Sequence, residues 1–356
     1  QIYNNRTQLG NLTNSSDAAN VWFFNGTANV TYTTPGFVAF NEGSNTLIAY
    51  ANDSIGNLNS SSVIFSINTN LTCGDLNVSN QIYHLNNSLN SSGTCFNIMA
   101  NNVTLDCQGY LINRTSGSGY GVNNTGGYHN TTIKNCNLVG FSRNIFFNNG
   151  ANNGLIFNNT IRSSSDTGIF LDFSLNNIIL NNSISSNARG ILLSTSSNNN
   201  TIQGNNISFN TGSGIHLYIN SNNTIFSNIA NSNNRAIFLE SSSGNNVTSN
   251  IAESNQYGFY AASSSNNALI SNTFKFNNVD GVYLDTSSNN VLSSNIASVN
   301  NVYGINSYLS SNNTFTNNTV SSNPSNSGIY FSSSSNNTLI SNTANSNAFY
   351  GFSIEA

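Results

Sequence analysis

An Asn-Asn doublet recurs at nearly constant spacing through most of this chain. Doublets begin at Asn152, Asn176, Asn199, Asn222, Asn245, Asn266, Asn289, Asn312 and Asn336, so that successive steps span 21 to 24 residues. Between the doublets the sequence also repeats, with apolar or β-branched residues, a Gly-Ile-x-Leu segment and a run of Ser. A fixed period of this length predicts a solenoid, in which each repeat forms one coil that stacks on its neighbours.

Charged residues are scarce, since they make up only 6% of the 356 residues. Asn and Ser supply the polarity instead, which is typical of low-complexity sequence. The regular spacing of Ile, Leu, Val and Phe nevertheless indicates a packed core. A net charge of -4 without a basic patch excludes a nucleic-acid-binding protein. No apolar run approaches the roughly 18 residues of a membrane-spanning helix.

Sequons of the form Asn-x-Ser/Thr are dense and indicate an exported glycoprotein. They include Asn5, Asn11, Asn14, Asn25, Asn29, Asn52, Asn59, Asn70, Asn77, Asn90, Asn102, Asn113, Asn130 and Asn158. A chain this rich in Asn, Ser and Thr also forms sequons by chance. Because N-glycans are added to surface loops of exported proteins, we expect an extracellular or cell-surface location with covalent N-glycans. Gln1 begins no signal-like segment, so we expect a processed product or a portion of a longer chain.

The four cysteines fit an oxidising compartment. Cys73 and Cys95 flank the segment that leads into the repeats, whereas Cys107 and Cys136 occupy similar places in neighbouring coils. Residues stacked in adjacent coils lie about 4.8 Å apart, within the Cα range of a disulfide. We predict the bridges Cys73–Cys95 and Cys107–Cys136. For the second pair, two stacked free thiols in the core are the alternative.

The chain divides into two predicted domains, residues 1–69 and 70–356. Short β-type runs such as AANVWFF and NTLIAYAND alternate with turns in the first domain and predict a small antiparallel sandwich. The segment 42–57 resembles the end of an immunoglobulin-like module of prokaryotic surface proteins. Since 69 residues fall short of the roughly 100 of a full sandwich, we expect its first strand to lie upstream or to come from a neighbouring molecule.

Residues 70–356 predict an all-β solenoid with about 11 coils of about 23 residues. The segments NNVTLDCQGYLI (101–112) and NTTIKNCNLVGF (130–141) resemble the opening coils of the right-handed parallel β-helix family, which includes pectate-lyase-like proteins and NosD-type repeats. The resemblance implies a prokaryotic, in particular archaeal, surface glycoprotein. It leaves the activity open, because that family contains lyases, hydrolases, binding proteins and structural proteins.

Alternation within Gly-Ile-x-Leu points the Ile and Leu inward, where they would stack as aliphatic ladders. We expect the preceding glycines, such as Gly168 and Gly190, to serve a bend at the corner. Repeated asparagines would form amide ladders along the axis. The expected members of one such ladder are Asn228, Asn250, Asn272, Asn295 and Asn317.

Three outward columns of the coils carry the remaining candidate residues. The aromatic column, at position x, holds Phe146, Phe170, Leu192, His216, Phe238, Tyr260, Tyr283, Asn306, Tyr330 and Ser353. The acid column, two residues later, holds Asp172, Ser194, Tyr218, Glu240, Ala262, Asp285 and Tyr308. The arginine column, before the glycine, includes Arg143, Arg189 and Arg235, and Asp166 is placed to pair with the first two.

The aromatic column has three interpretations. Its rings would stiffen the sheet by stacking on one another. They would also suit a protein–protein interface, because contiguous apolar surface marks association. A third interpretation is a sugar-binding face in which rings stack on saccharides while acids accept hydroxyl hydrogen bonds. The residues of this interface or sugar-binding stripe are Phe146, Phe170, His216, Phe238, Tyr260, Tyr283 and Tyr330.

Catalytic candidates are weak. Lyases of the resembled family use acidic calcium ligands with Arg or Lys, and its hydrolases use a close group of Asp. Here Glu240 and Asp285 lie two coils apart, about 10 Å, at the edge of the range for an inverting carboxylate pair. His216 beside Glu240 is the other candidate. The sequence offers no metal-ligand cluster and implies no cofactor.

These observations predict a non-enzymatic structural or adhesive protein that assembles into a filament or surface layer. An uncapped last coil and an incomplete sandwich suit head-to-tail or lateral self-association. The alternative is a carbohydrate-binding or polysaccharide-cleaving β-helix that uses the aromatic and acid columns, with a cell-surface polysaccharide as its partner.

Overall fold

A computed structural model describes residues 2–3, 7–10, 12–13, 16–24, 28–40, 43–67 and 70–355. Every regular element in these residues is a β-strand, so the predicted all-β class is confirmed. Within them, no helix is long and apolar enough to cross a membrane. Backbone proximity separates two units: residues 1–72 with 83–87, and residues 73–82 with 88–356.

The first unit contains seven strands in two small sheets. They are β1 (Ile2–Tyr3), β2 (Thr7–Gly10), β3 (Asn20–Phe24), β4 (Asn29–Thr31), β5 (Gly36–Ala39), β6 (Gly43–Asn52) and β7 (Leu58–Ile67). Five strands form a sheet in the order β1-β7-β6-β3-β4, and β2 pairs with β5. Phe40, Phe65 and Ile67 form the small core. The immunoglobulin-like character of this unit and its missing strand stay predictions.

The second unit is a parallel β-helix of the right-handed family with about 12 coils, close to the 11 expected. Each coil contributes one strand to each of three parallel sheets, which we call sheets I, II and III in chain order. In the coil that begins at Thr167, these strands are Thr167–Asp172, Ile178–Leu180 and Ser183–Ser185. Each strand pairs with the equivalent strand of the next coil, so that equivalent residues lie side by side, as Ile169 and Ile191 do.

Sheet I has the longest strands and contains 13 of them. They are Gly74–Leu76, Phe96–Ile98, Tyr120–Asn124, Arg143–Phe147, Thr167–Asp172, Arg189–Ser194, Ser213–Tyr218, Arg235–Glu240, Tyr257–Ala262, Val282–Asp285, Ile305–Tyr308, Ile329–Ser332 and Phe352–Glu355. Its extra length gives every central coil three outward positions, and this sheet carries the candidate site.

Sheets II and III are built from strands of three or four residues. Sheet II contains Ile82–His84, Thr104–Asp106, Thr132–Lys134, Leu155–Phe157, Ile178–Leu180, Thr201–Gln203, Thr224–Phe226, Asn246–Thr248, Ala268–Ile270, Val291–Ser293, Thr314–Thr316 and Thr338–Ile340. Sheet III contains Leu89–Ser91, Leu111–Arg114, Asn137–Val139, Thr160–Arg162, Ser183–Ser185, Asn206–Ser208, Ile229–Asn231, Ile251–Glu253, Thr273–Lys275 and Ile296–Ser298.

Each coil turns at corners where one residue adopts the left-handed conformation and the next side chain points inward. In one coil the corner residues Phe173, Asn176, Asn181 and Ser186 have φ between 47° and 57°. Asn tolerates this conformation better than most residues, which explains its abundance there. The inward residues that follow are Ser174, Asn177, Asn182 and Asn187, and all four are buried.

The inward asparagines form three buried ladders. In each one, a backbone N–H and a side-chain Nδ2 of one coil donate to the Oδ1 of the next, as Asn205 does to Asn228 at 3.0 Å in both bonds. The first ladder runs Asn177, Asn200, Asn223, Asn245, Asn267, Asn290, Asn313; the second Asn159, Asn182, Asn205, Asn228, Asn250, Asn272, Asn295, Asn318; the third Asn187, Asn210, Asn233, Asn255, Asn277, Asn300, Asn323.

The structure corrects the predicted ladder at one place. Asn317 is not a ladder member, because it is the left-handed corner residue and Asn318 takes the inward position. The doublets themselves also vary: Asn176 is a corner residue, whereas Asn245 points inward after a corner at Gly244. A doublet whose neighbour is also Asn or Gly does not reveal which residue turns and which points inward.

The glycine column does not serve a bend, contrary to expectation. Gly168 lacks a left-handed φ, and a Cβ there would lie 2.7 Å from the carbonyl oxygen of Gly190. Because Gly190 meets Gly214 in the same way, close approach of the backbones accounts for the glycines. Ala236 holds the equivalent place in one coil and is fully buried.

Both predicted disulfides are confirmed. Cys73–Cys95 joins Cα atoms 4.4 Å apart, and Cys107–Cys136 joins Cα atoms 4.7 Å apart. Cys136 also begins the second asparagine ladder, since its N–H donates to Oδ1 of Asn159. Two disulfides in one small region indicate an oxidising environment outside the cytosol.

The predicted glycosylation sites are distributed over both units. Asn5, Asn11, Asn14 and Asn25 lie outside the described residues. Asn29, Asn59, Asn70, Asn77, Asn90, Asn102, Asn130 and Asn158 are exposed, and Asn52 and Asn113 are half-buried. Glycosylation at these positions stays a prediction.

Candidate functional site

Charge in the β-helix is concentrated on the outward face of sheet I. Of the 16 Asp, Glu, Lys and Arg residues between positions 70 and 355, ten lie on this face or at its margin. They are Asp75, Arg143, Asp166, Asp172, Arg189, Arg235, Glu240, Asp280, Asp285 and Glu355. Uncharged Ser, Thr and Asn dominate the other two faces, so sheet I differs chemically from sheets II and III.

The aromatic column is a stack of rings in register. Phe146 lies on Phe170 with centroids 5.1 Å apart, His216 on Phe238 at 4.5 Å, and Tyr260 on Tyr283 at 4.9 Å. Phe238 continues to Tyr260 at 5.2 Å. The stack is interrupted at Asn306, after which Tyr330 pairs with Tyr303 of the arginine column at 4.6 Å.

Part of this column is covered. Phe146, Phe170, Leu192 and Phe238 are only 5–8% exposed, although they point outward, because neighbouring rings and guanidinium groups cover them. A sugar cannot lie flat on these four side chains. His216, Tyr260, Tyr283 and Tyr330 are half-buried, and the sugar-binding interpretation of the column stays a prediction.

The arginine column supplies the cover. Arg143 lies 4.4 Å from the ring centroids of both Phe146 and Phe170. Arg235 lies 4.7 Å from Phe238 and 5.0 Å from Tyr260. Such contacts hold a guanidinium group flat against the rings while its edge stays available for hydrogen bonds.

Asp166 links two of the arginines, as the sequence suggested. Its carboxylate accepts from Arg143 Nε at 2.9 Å and from Arg189 at 3.0 Å. Arg235 has no such carboxylate: its Nε is buried and has no hydrogen-bond partner in the protein. Arg235 is therefore the arginine of this column whose charge is paired with no described carboxylate.

His216 and Glu240 form a pair at the centre of the face. Nε2 of His216 lies 3.1 Å from a carboxylate oxygen of Glu240. Burial, together with the charges of Arg189 and Arg235, lowers the pKa of His216 to about 4. Glu240 alone would favour the charged imidazole, but burial and two cations outweigh it. At neutral pH the ring is neutral, and Nε2–H donates to Glu240 because a carboxylate only accepts.

Tyr260 and Asp285 form a second polar contact one coil beyond this pair. The Tyr260 hydroxyl donates to Asp285 at 3.2 Å. Burial, with the nearby Asp285 charge, raises the pKa of Tyr260 to about 12. Burial likewise raises the pKa of Tyr283, so both phenols are protonated at neutral pH.

The structure brings some of the catalytic candidates together and separates others. His216 contacts Glu240, whereas Glu240 and Asp285 lie two coils apart in the acid column, with Ala262 between them. Asp172 lies three coils before Glu240. No described group of three His, Cys, Asp or Glu residues could hold a metal ion.

Comparisons with known proteins place the chain in a family. The profile described as "Periplasmic copper-binding protein (NosD)" matches residues 1–235, 101–280 and 231–356. No curated protein shows significant similarity to the chain.

Solved structures resemble the β-helix at low sequence identity. The Dettilon tailspike protein aligns with a TM-score of 0.54 at 11% identity, covering 78% of this chain and 61% of the tailspike. A variant of the periplasmic alginate epimerase AlgG aligns at 0.52 and 17% identity, covering 77% of this chain and 79% of that one. The mannuronan C-5 epimerase AlgE4 A-module of Azotobacter vinelandii aligns at 0.50 and 16%, covering 80% and 91%. At these identities the likeness shows the fold alone.

Proposed function

We propose that this chain, which belongs to the NosD family, binds an acidic polysaccharide along the outward face of sheet I. The observation that carries the proposal is the arginine column beside His216 and Glu240, in which the charge of Arg235 is paired with no described carboxylate. The coarser resemblance to polysaccharide-active β-helix proteins favours this function over the structural or adhesive one.

The copper-binding description of the family does not fit the residues of this chain. Copper sites use thiolate, thioether and imidazole ligands. All four cysteines form disulfides, and the one methionine, Met99, directly follows the sheet I strand Phe96–Ile98, one coil before Tyr120 and far from His216 in sequence. The described residues hold no cluster of potential ligands, so we assign no step to copper.

The ten charged residues of this face are seven acids and three arginines, so an acidic sugar fits only along the arginine column. Guanidinium groups bind carboxylates in a planar, bidentate manner. Arg143, Arg189 and Arg235 recur at every second coil of one column, about 10 Å apart. That repeat is on the scale of a two-sugar unit, so a chain of uronic acids lying along the axis would meet successive arginines.

Binding is tested by affinity electrophoresis in gels that contain alginate, with dextran as the neutral control. We expect alginate, but not dextran, to retard the protein. The Arg235→Gln variant should bind at least about tenfold more weakly, because a charge-assisted contact is lost. Arg162→Gln removes an exposed arginine from sheet III and is the matched control. Equal retardation of wild type in both gels, or of both variants in alginate, would reject the proposal.

A second candidate function is proton abstraction beside a uronate carboxylate, as in epimerisation or β-elimination. The His216–Glu240 pair between two arginines favours it. Burial is the main cause of the lowered pKa of His216, and a bound carboxylate would offset the smaller contribution of Arg189 and Arg235 and make the imidazole a stronger base. Proton NMR of alginate incubated with the enzyme detects either product. Activity that survives in His216→Gln would exclude this residue as the base.

The location proposed for this function is the extracytosolic space, at the cell surface. Its support is the pair of disulfides and the periplasmic description of the family. Self-association into a filament or layer remains a separate proposal, and light scattering of the purified protein with and without alginate tests it.

A further inference from the structure

Exposed aromatic residues border the covered column along one side. Phe173, Tyr218 and Tyr308 are 50%, 38% and 41% exposed, in contrast to the rings beside them. Tyr218 and Tyr308 belong to the acid column, and Phe173 is the corner residue that follows Asp172. The available ring surface on this side of the β-helix therefore lies at its edge.

Each exposed ring has a carboxylate as its immediate neighbour. Tyr218 is in register with Glu240 of the next coil, and Tyr308 with Asp285 of the preceding one. Phe173 directly follows Asp172, whose Oδ1 has no hydrogen-bond partner in the protein. The same pairing of a ring with an acid thus occurs three times along one edge.

The turn does not require an aromatic ring at Phe173. Its φ is 47°, in the left-handed region, which the exposed corner residues Ile219 and Leu309 also adopt. Ser241 and Ser263 hold the same corner in other coils and show that a small residue suffices for the turn. Packing does not account for the ring either, since half of its surface is exposed.

From these observations we infer that Phe173, Tyr218 and Tyr308 are the sugar-stacking subsites of the protein, each with its neighbouring acid. A pyranose ring presents a C–H face that covers an aromatic ring, while its hydroxyl groups donate to the carboxylate. Phe173 and Tyr218 lie two coils apart and Tyr308 four coils further, about 10 and 19 Å along the axis. A polysaccharide would therefore run parallel to the axis of the β-helix.

This inference rests on the proposed function and is tested with the same alginate gels plus polygalacturonate gels. The double variant Phe173→Ser/Tyr218→Ser should bind about tenfold more weakly for each ring removed. Serine occurs naturally in both columns, at Ser241 and Ser194, so the fold should persist. Tyr218→Phe keeps the ring and should retain binding within about twofold of wild type.

The matched control is Phe209→Ser/Phe226→Ser. Phe209 is an exposed corner residue with φ of 56°, and Phe226 is an exposed strand residue of sheet II. These changes remove equivalent rings from other faces and should leave binding unchanged. If wild type binds and both double variants bind equally well, the subsites are wrong while the proposed function stands. If wild type binds neither acidic polysaccharide, the proposed function fails and this inference fails with it.

Discussion

Asp280 illustrates how much a single residue on this face depends on its surroundings. It is 2% exposed and accepts hydrogen bonds from the Tyr303 backbone N–H at 3.0 Å and from Asn306 Nδ2 at 3.1 Å. Burial raises its pKa to about 6, and the two hydrogen bonds only partly offset that rise. A protonated Asp280 is therefore easier to bury than an ionised one.

Replacing Asp280 with Asn should stabilise the protein at neutral pH. In wild type the folded state binds more protons than the unfolded state between pH 3.8 and about 6, so stability falls as pH rises through that window. The variant lacks this loss, and its advantage should grow by at most about 3 kcal/mol from pH 4 to pH 7. Asn306 Oδ1, which is buried without a partner, can accept from the new amide once its own amide rotates.

Urea unfolding of wild type and Asp280→Asn at pH 4 and pH 7 measures the effect. A matched control is Asp75→Asn, which changes an exposed acid on the same sheet. An advantage of Asp280→Asn that is equal at both pH values would contradict the assignment of a raised pKa.

At the level of residues, the sequence predicted which side chains share a column better than it predicted how exposed each of them is. Strict alternation fixes which residues share a column, so the His216–Glu240 contact and the Asp166 pairs follow from counting. Whether an outward ring is open depends on long side chains from the adjacent column, such as Arg143 over Phe146. Phe173 was not among the predicted residues because corner residues fall outside the alternating pattern. The same corner holds residues as different as Asn149, Ile219 and Ser241 in other coils, so the sequence offered no signal there.

The asparagine ladder is the element that distinguishes this β-helix from a purely aliphatic one. Each rung accepts the N–H of the inward residue of the preceding coil, and most rungs, such as Asn228, also accept a side-chain bond from that residue. Unpaired buried polar groups are costly, so the ladders remove that cost at each corner. Stability of the coils thus depends on polar side chains as well as on the Ile and Leu layers.

Asn228→Ala should destabilise the protein by roughly 3 kcal/mol, because it leaves the buried backbone N–H of Asn205 without an acceptor and removes the bonds that the Asn228 amide makes to both neighbouring coils. Asn206→Ala is the control, since Asn206 is exposed on sheet III one residue from the ladder, and we expect a change within about 0.5 kcal/mol. Denaturant midpoints of the two variants provide the comparison. Similar midpoints would show that the ladder adds little beyond side-chain packing.

At the level of elements, the period and the inward Ile and Leu positions were predictable because they repeat in every coil. The exact ladder members were not, as Asn245 and Asn317 show, because adjacent asparagines are chemically identical in the sequence. The role of the glycines could not be predicted either. They allow the backbones of neighbouring coils to approach closely, and the sequence of one coil does not show how close its neighbour lies.

Considered as a whole, the β-helix is cross-linked only within its first coils. Both disulfides lie between residues 73 and 136, and the described coils beyond them depend on stacking alone. In a solenoid each coil contacts mainly its neighbours, so local losses of stability stay local. The variant Cys107→Ser/Cys136→Ser should lose about 3 kcal/mol of stabilisation in the adjoining coils.

Hydrogen exchange locates this loss. We expect faster exchange in residues 96–162 of the double variant and unchanged exchange in residues 201–300. Uniform acceleration along the β-helix would instead show that it unfolds as a single cooperative unit.

The asparagine ladders also make the β-helix electrically polar. Each ladder Oδ1 faces the preceding coil, from Asn182 accepting from Asn159 to Asn318 accepting from Asn295. Side-chain dipoles in the three ladders thus point the same way, and aligned dipoles sum as they do in an α-helix. The negative end is the one nearer the disulfides. An electric field should therefore align these molecules with their β-helix axes pointing the same way. The β-sheets alone would not produce this alignment, because their peptide dipoles alternate in direction and largely cancel.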